Sequence, residues 1–395
     1  MAKQGAVTAM PRLRFPEFRE AGAWSEAKLD SLIDTVSPPA KLPSSSYLAT
    51  GKFPIIDQSQ DAICGWTDDP QVVIEKPLPL IVFGDHTCVL KFVARPFAQG
   101  ADGIKILAAK PSISIDYLFH SLNHQPLVME DYKRHFSTLK ERQVFFPGVE
   151  SGEQQKISDC LTSLDAIIAA QGRKVEALKA HKRGLMQQLF PREGETRPRL
   201  RFPEFRNAPE WKGKLLGEAA TFYNGRAYAK EELLERGKYL VLRVGNFFTN
   251  DHWYYSDLEL DDTKYCDEGD LLYAWSASFG PRMWRGGKTI YHYHIWKVVE
   301  KEGVSKAFLF YRLDADTEEM RARTANGIGM FHITKGTIES WMSAFPNLEE
   351  QQRIADCLSS LDTRITAETS QLAALKTHKQ GLMQQLFPAP EAAQV

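Results

Sequence analysis

Three stretches of the chain hold residue types at spacings that could do chemistry. Arg282–Thr289 reads RMWRGGKT and ends like a phosphate-binding loop, in which backbone N–H groups and a lysine cradle a nucleotide. Arg282 stands where G-x-x-x-x-G-K-[ST] needs its first glycine, and the run lies in a basic, aromatic strand–turn setting. His292 and His294 alternate on one face of YHYHIW; two imidazoles could hold a metal ion, but no third ligand is evident. Asp85 and His86 beside Thr87 carry the groups of an acid–base pair, and a turn followed by a strand accounts for them equally well. No G-x-G-x-x-G loop occurs. Nor is there an Asp-Pro-Pro-Tyr or Asn-Pro-Pro-Phe type of methyltransferase motif, or an acidic pair followed by Glu-x-Lys at nuclease spacing. No catalytic or metal site emerges.

What remains fits recognition. Amide, basic and aromatic residues gather in turn-rich stretches: Gln58 and Gln60, Lys91, Arg95, Lys105, Arg134 and His135 in the first half of the chain. The second half offers Asn224, Arg226 and Tyr228, then Arg243 with Asn246, then Arg282, Trp284 and Arg285, and finally His332 and Lys335. Arginine suits guanine, and asparagine or glutamine suits adenine, in the major groove of DNA. Yet 49 basic against 50 acidic residues leave a formal charge of −1, so the chain cannot grip a polyanion by charge alone. A nucleic-acid role needs local basic patches or a partner that supplies phosphate contacts. The first ten residues lack the apolar core of an export signal. Five cysteines with no CxxC pair suit a reducing cytosol, and no apolar run approaches the roughly 20 residues of a membrane helix. The expected location is cytoplasmic.

The elements that carry these residues come in two copies. PRLRFPEFR occurs at Pro11–Arg19 and again, unchanged, at Pro198–Arg206. Residues 152–191 and 349–388 are identical at 25 of 40 positions, at an offset of 197. Between these markers residues 20–150 and 207–346 align poorly, apart from His135 and Ser137, which match His332 and Thr334. Two near-constant frames therefore carry two different inserts. The repeated segments are long helices, with apolar residues at Ile157, Leu161, Leu164, Ile168, Val175, Leu178, Leu185 and Leu189 and at the equivalent places in the copy. A 3.5-residue period kept over five heptads marks a coiled-coil seam. Ser151 with Gln154, and Asn347 with Glu350, read as capping boxes at the helix starts. The inserts read as mixed α/β modules, with strands in Pro77–Phe97 broken by a Gly84-Asp85 turn, and at Tyr239–Val244, Asp270–Trp275 and Lys288–Val299.

With its doubled EQQ(K/R)I-x-DCL-x-SLD, its doubled KxHKxGLMQQLFP and PRLRFPEF, and two unlike inserts, the chain resembles the specificity subunits of type I restriction–modification systems. The resemblance covers essentially the whole chain. It implies an α+β protein: two mixed α/β target-recognition domains, in 1–151 and 192–347, separated by two conserved helices, in 152–191 and 348–395 with the tail, that form an antiparallel coiled coil. It implies a non-catalytic DNA-binding subunit of a bacterial defence system, whose partners are double-stranded DNA, two modification methyltransferase subunits and two restriction translocase–nuclease subunits. S-adenosylmethionine, ATP and magnesium would then belong to those partners, with no cofactor or metal here. The expected target is bipartite and asymmetric, with an unspecified spacer of roughly six or seven base pairs between half-sites on one face of the duplex. A specificity chain of a type IIB or IIG system, a scaffold with two protein-binding modules, and an enzyme with an unrecognised site stay open.

The seam also suggests a register. It is interrupted by Gln171 and Lys182 in the first helix and by Glu368 and Lys379 in the second. Parallel pairing sets Lys182 against Lys379. Antiparallel pairing sets Lys182 against Glu368 and Lys379 against Gln171, with Val175 facing Leu375, and is the expected arrangement.

Overall fold

The structure, a computed structural model, describes residues 10–101, 103–130, 133–192, 194–248, 251–276, 278–324 and 333–388. The chain forms two compact units, one of residues 1–172 and 370–395, the other of residues 173–369. The boundaries fall inside the two long helices, Glu153–Leu189 and Leu348–Leu386, rather than at their ends.

In the first unit, Ser25–Lys28 pairs antiparallel with Gln143–Phe146. A four-stranded antiparallel sheet runs in the order Ile33–Val36, Ile104–Ala109, Leu80–Gly84, Leu90–Val93. A second sheet has the order Gly65–Thr67, Phe53–Ile56, Phe97–Gln99, Val73–Ile74, and its central pair is parallel. The second unit repeats this strand for strand. Lys212–Leu215 pairs with Met342–Phe345. One sheet has the order Ala220–Asn224, Ile295–Glu300, Leu271–Ser276, Ser278–Met283, and the other has Tyr254–Ser256, Tyr239–Leu242, Thr289–Tyr291, Tyr265–Cys266, again with a parallel centre. The inserts that barely align in sequence thus share one topology.

Period-two alternation explains why. Ile81 and Phe83 face a core with Tyr117 and Leu118, while Leu80 and Val82 face another with Ile56, Phe97 and Ile106. In the second unit Leu271 and Tyr273 face one core and Leu272 and Ala274 another. These two central strands are buried on both sides, so what is retained there is apolar character at each position and not identity.

The frame motifs are clamps. Arg14 donates from Nε and Nη2 to the two carboxylate oxygens of Glu153, at 2.7 and 2.6 Å, and from Nη1 to the Ala21 carbonyl at 2.6 Å. Arg201 grips Glu350 at 2.7 and 2.6 Å and the Ala208 carbonyl at 2.8 Å. The Leu13 N–H donates to the Gln385 carbonyl at the end of the second long helix, and the Leu200 N–H donates to the Gln188 carbonyl at the end of the first, both at 2.9 Å. Gln154 and Gln351 bridge outward: their amide oxygens accept the Ser114 and Ser305 N–H, and their nitrogens donate to Pro147 and Pro346. The expected capping boxes are therefore only half present. Ser151 accepts the Glu153 N–H and Asn347 the Glu350 N–H, but the would-be reciprocal side chains, Gln154 and Glu350, are diverted to these tertiary partners.

Within each unit the two helix segments run antiparallel, as expected, but the pairing is different. In the first unit Ile157 and Leu161 share a core with Met383, Leu386 and Phe387; in the second, Leu189 and Phe190 share one with Ile354, Ala355 and Leu358. Lys182 pairs with Asp362 at 2.6 Å, and Lys379 with Asp165 at 2.6 Å, while Glu368 takes Lys174 at 2.6 Å. Partner numbers sum to 544 (182 + 362 and 165 + 379), against 550 for the expected Lys182–Glu368 pair (182 + 368). The shift is six residues, nearly one heptad. Asp165 and Asp362 flank the seam and were invisible to reasoning confined to seam positions. The register is set at the ends, where the Leu-Phe-Pro segments plug into the cores.

Arg14→Ala strands the Glu153 carboxylate, which is 1% exposed. It should cost about 3–5 kcal/mol in urea unfolding, whereas Arg14→Met combined with Glu153→Leu should recover most of that loss. Glu17→Ala, at an exposed pair with Lys156, should leave the midpoint almost unchanged.

Candidate nucleic-acid interface

In the first unit, chain segments far apart in sequence converge on a polar recess of about 460 Å³ lined by Lys41, Gln58, Asp85, His86, Gly103, Ile104, Lys105 and Arg134. Asp85 is 4% exposed. Its carboxylate accepts the His135 and Phe136 N–H groups at 3.0 and 2.8 Å, capping the short helix Phe136–Lys140. The capping role accounts for Asp85, in keeping with the turn reading. The His86 Nδ1 sits 3.1 Å from the Lys133 carbonyl.

The candidate residues of this unit separate by what they touch. Gln58, Lys105 and Arg134 come together in the recess, and Lys105 also lies over the Phe136 ring, 5.6 Å from its centroid. Gln60 is exposed on the same loop as Gln58. Arg95 is exposed beside the Trp66 ring at 5.5 Å. Lys91 is not a surface reader: its ammonium donates to the Asp57 and Asp61 carbonyls at 2.8 and 2.6 Å, closing the loop that carries Gln58 and Gln60. Burial lowers its pKa, against the opposing pull of Asp57. His135 is a correction. It is 2% exposed, with Nδ1 at 3.2 Å from the Asp85 carbonyl, and belongs to the core. Its repeat match to His332 was the available signal of a frame role.

In the second unit a cleft of about 700 Å³ gathers Asn246, Arg282, Trp284 and Arg285 with Lys182, Tyr311 and Asp362. Arg282 and Arg285 are exposed, and the Trp284 Nε1 donates to the Gly287 carbonyl at 3.0 Å. Asn246 serves the backbone there, accepting the Arg243 N–H at 3.2 Å and donating to the His252 carbonyl at 2.9 Å. Arg243 is exposed over the Tyr254 ring at 5.3 Å.

Asn224, Arg226 and Tyr228 form a separate cluster whose polar groups are engaged. The Asn224 side chain accepts the Trp296 Nε1–H at 2.7 Å, and Arg226 makes a two-pronged contact with Glu232 at 2.9 and 2.7 Å. Tyr228 stacks on His292. Lys335 lies 3.6 Å from Glu339 on the helix Lys335–Glu339, and His332 lies outside the described residues.

His292 and His294 do not alternate on a continuous strand as expected, because the chain turns between Thr289–Tyr291 and Ile295–Glu300. Burial pushes the His292 pKa down to about 4, helped by His294 and Arg243, so the ring is neutral at pH 7. Among the described residues no group of three or more His, Cys, Asp or Glu could hold a metal ion, and no helix is long and apolar enough to cross a membrane. Sequence reasoning missed Lys41 and His86 as recess residues. Nothing local marks Lys41, and His86 stands out only beside Asp85 as a possible acid–base pair, since the recess exists only once five distant segments meet.

Residues 209–377 match the family model described as the type I restriction modification DNA specificity domain. The type I restriction enzyme MjaVIII specificity subunit of Methanocaldococcus jannaschii is 31% identical over 122 residues, 31% of this chain but only 28% of that relative. The EcoR124I/EcoR124II specificity subunit of Escherichia coli is 20% identical over 356 residues, 82% of this chain and 83% of its own length. The solved S subunit of a type I restriction–modification system from M. genitalium gives a TM-score of 0.65 at 16% identity, covering 96% of this chain and 99% of the other. At that identity the likeness speaks for the fold. With the doubled frame and its two copies of one strand topology, the chain is similar to the specificity subunits of type I restriction–modification systems, and residues 209–377 match the DNA specificity domain of that family.

Proposed function

We propose that each unit reads one half of a two-part, asymmetric double-stranded DNA target, and that the chain recruits the enzymes that act there without catalysing a step itself. The observation that carries this is one strand topology bearing two unlike sets of surface groups. The first unit offers a polar recess with Gln58, Lys105 and Arg134; the second offers a cleft with Arg282, Trp284 and Arg285. Unlike readers imply unlike half-sites. Half-sites on one face lie roughly 10–10.5 bp apart, so halves of about 4 bp leave roughly six or seven unspecified pairs.

A chain of net charge −1 is short of phosphate contacts. Two modification methyltransferase subunits, which would bind S-adenosylmethionine, enclose the duplex and supply them. Two restriction translocase–nuclease subunits, using ATP and magnesium, complete the cytoplasmic assembly. The identical, exposed Arg12, Leu13 and Arg19 and Arg199, Leu200 and Arg206 support a doubled partner. The clamps do not use these side chains, and two equal surfaces fit two copies of one protein.

Replacing residues 207–346 with the corresponding insert of a relative leaves the Arg201–Glu350 clamp in place. One half-site of the methylated motif should change and the other stay; a change in both would refute independent readers.

Each unit holds the start of one long helix and the end of the other, so a spacer ruler must be lengthened in both helices together. Seven residues added after Gly172 and seven after Thr369 keep the heptad phase and add about 10.5 Å, or roughly 3 bp at ~3.4 Å per pair. Methylome mapping of this variant should show the longer spacer with the same bases, and an unchanged spacer would rule the ruler out.

A further inference from the structure

One corner of the shared topology differs in chemistry between the units. The parallel strand pair is in register at Ile56–Gln99 in the first unit and at Leu242–Tyr291 in the second. Gln58, two residues past Ile56, thus corresponds to Val244, and Gly100 to His292. Gly84 pairs with Ile104 as Ala274 pairs with Ile295, so Asp85 corresponds to Trp275. In the second unit rings fill this corner: Trp275 and His294 lie 4.9 Å apart, His292 and His294 4.8 Å. In the first unit the same corner is the recess, where Lys41, Lys105 and Arg134 bring positive charge.

Within that recess Gln58 is held by its backbone and not by its side chain. Thr87 Oγ1 donates to the Gln58 carbonyl at 2.7 Å, and Lys91 fixes the carbonyls of Asp57 and Asp61. Gly103, at φ +101°, leaves room for the amide, since a Cβ there would stand 2.8 Å from it. The Gln58 amide oxygen is buried and has no hydrogen-bond partner. A buried acceptor left unmade is costly, and its most direct relief is a ligand that brings a donor.

We propose that Gln58 is a specificity-determining residue of the first unit and reads the adenine of an A·T pair in the major groove. This rests on the DNA-reading role proposed above. The amide offers an acceptor and a donor, matching adenine N6–H and N7; guanine presents acceptors at both places and leaves the amide oxygen facing O6. The flanking cations hold phosphates and carry no sequence information.

The test is to express Gln58→Ala, Gln58→Leu and Gln58→Glu chains with the methyltransferase partner and read the methylated motif. Each complex is also titrated with duplexes carrying every base pair at the affected position. Gln58→Ala and Gln58→Leu should lose about ten-fold or more of the preference for A·T at one position of one half-site, with the other half-site and the spacer unchanged. Gln58→Glu should turn the preference toward cytosine, whose N4–H₂ donates to a carboxylate. A preference kept by Gln58→Leu, relaxation at a G·C position, or an equal loss for every duplex overturns the proposal. An unaltered chain whose complex methylates no two-part motif overturns the functional reading as well, whereas a two-part motif untouched by Gln58→Ala overturns this inference alone.

Discussion

The Arg14 guanidinium holds both oxygens of Glu153 in a site nearly closed to water, and Arg201 does the same to Glu350. A buried pair of this kind adds little net stability over an apolar replacement, because desolvation offsets the attraction; removing one partner is what costs. Its effect is on geometry. The arginine belongs to the opening motif, the glutamate begins a long helix, and the residue before the arginine hydrogen-bonds the end of the other helix. Three segments distant in sequence are thereby locked into each unit.

Because the arginine and glutamate of each clamp are frame residues, and the inserts meet those arginines through backbone carbonyls such as Ala21 and Ala208, the inserts are free to change their surfaces. Their buried strands keep apolar character at alternate positions, which preserves the topology, while turns and strand ends carry whatever side chains recognition requires. The corner that holds Gln58 in one unit and packed rings in the other shows how far that freedom reaches. The ion pairs Lys182–Asp362 and Lys379–Asp165 are repeat-equivalent, so both copies of the frame keep this contact even where the inserts differ.

The frame was legible in the sequence, since exact repetition and a 3.5-residue period need no tertiary knowledge. Antiparallel orientation followed from like-charge repulsion between Lys182 and Lys379. The register did not, because Asp165 and Asp362 lie beside the seam and the plugs at the helix ends outweigh a sparsely apolar middle. The common topology of the inserts was hidden, because two-sided burial constrains residue type and not identity. Among the candidate readers, the fate of each basic residue hung on partners that sequence cannot place: Glu232 for Arg226, two carbonyls some thirty residues away for Lys91, and the core for His135.

The central proposal is that one repeated frame carries two different readers of DNA. Single-molecule mapping of methylated positions, in cells expressing the unaltered chain with its methyltransferase partner, tests it most directly. The account predicts one motif of two unlike halves separated by a fixed, unspecified spacer. A palindromic motif, or a continuous one without a spacer, would contradict it.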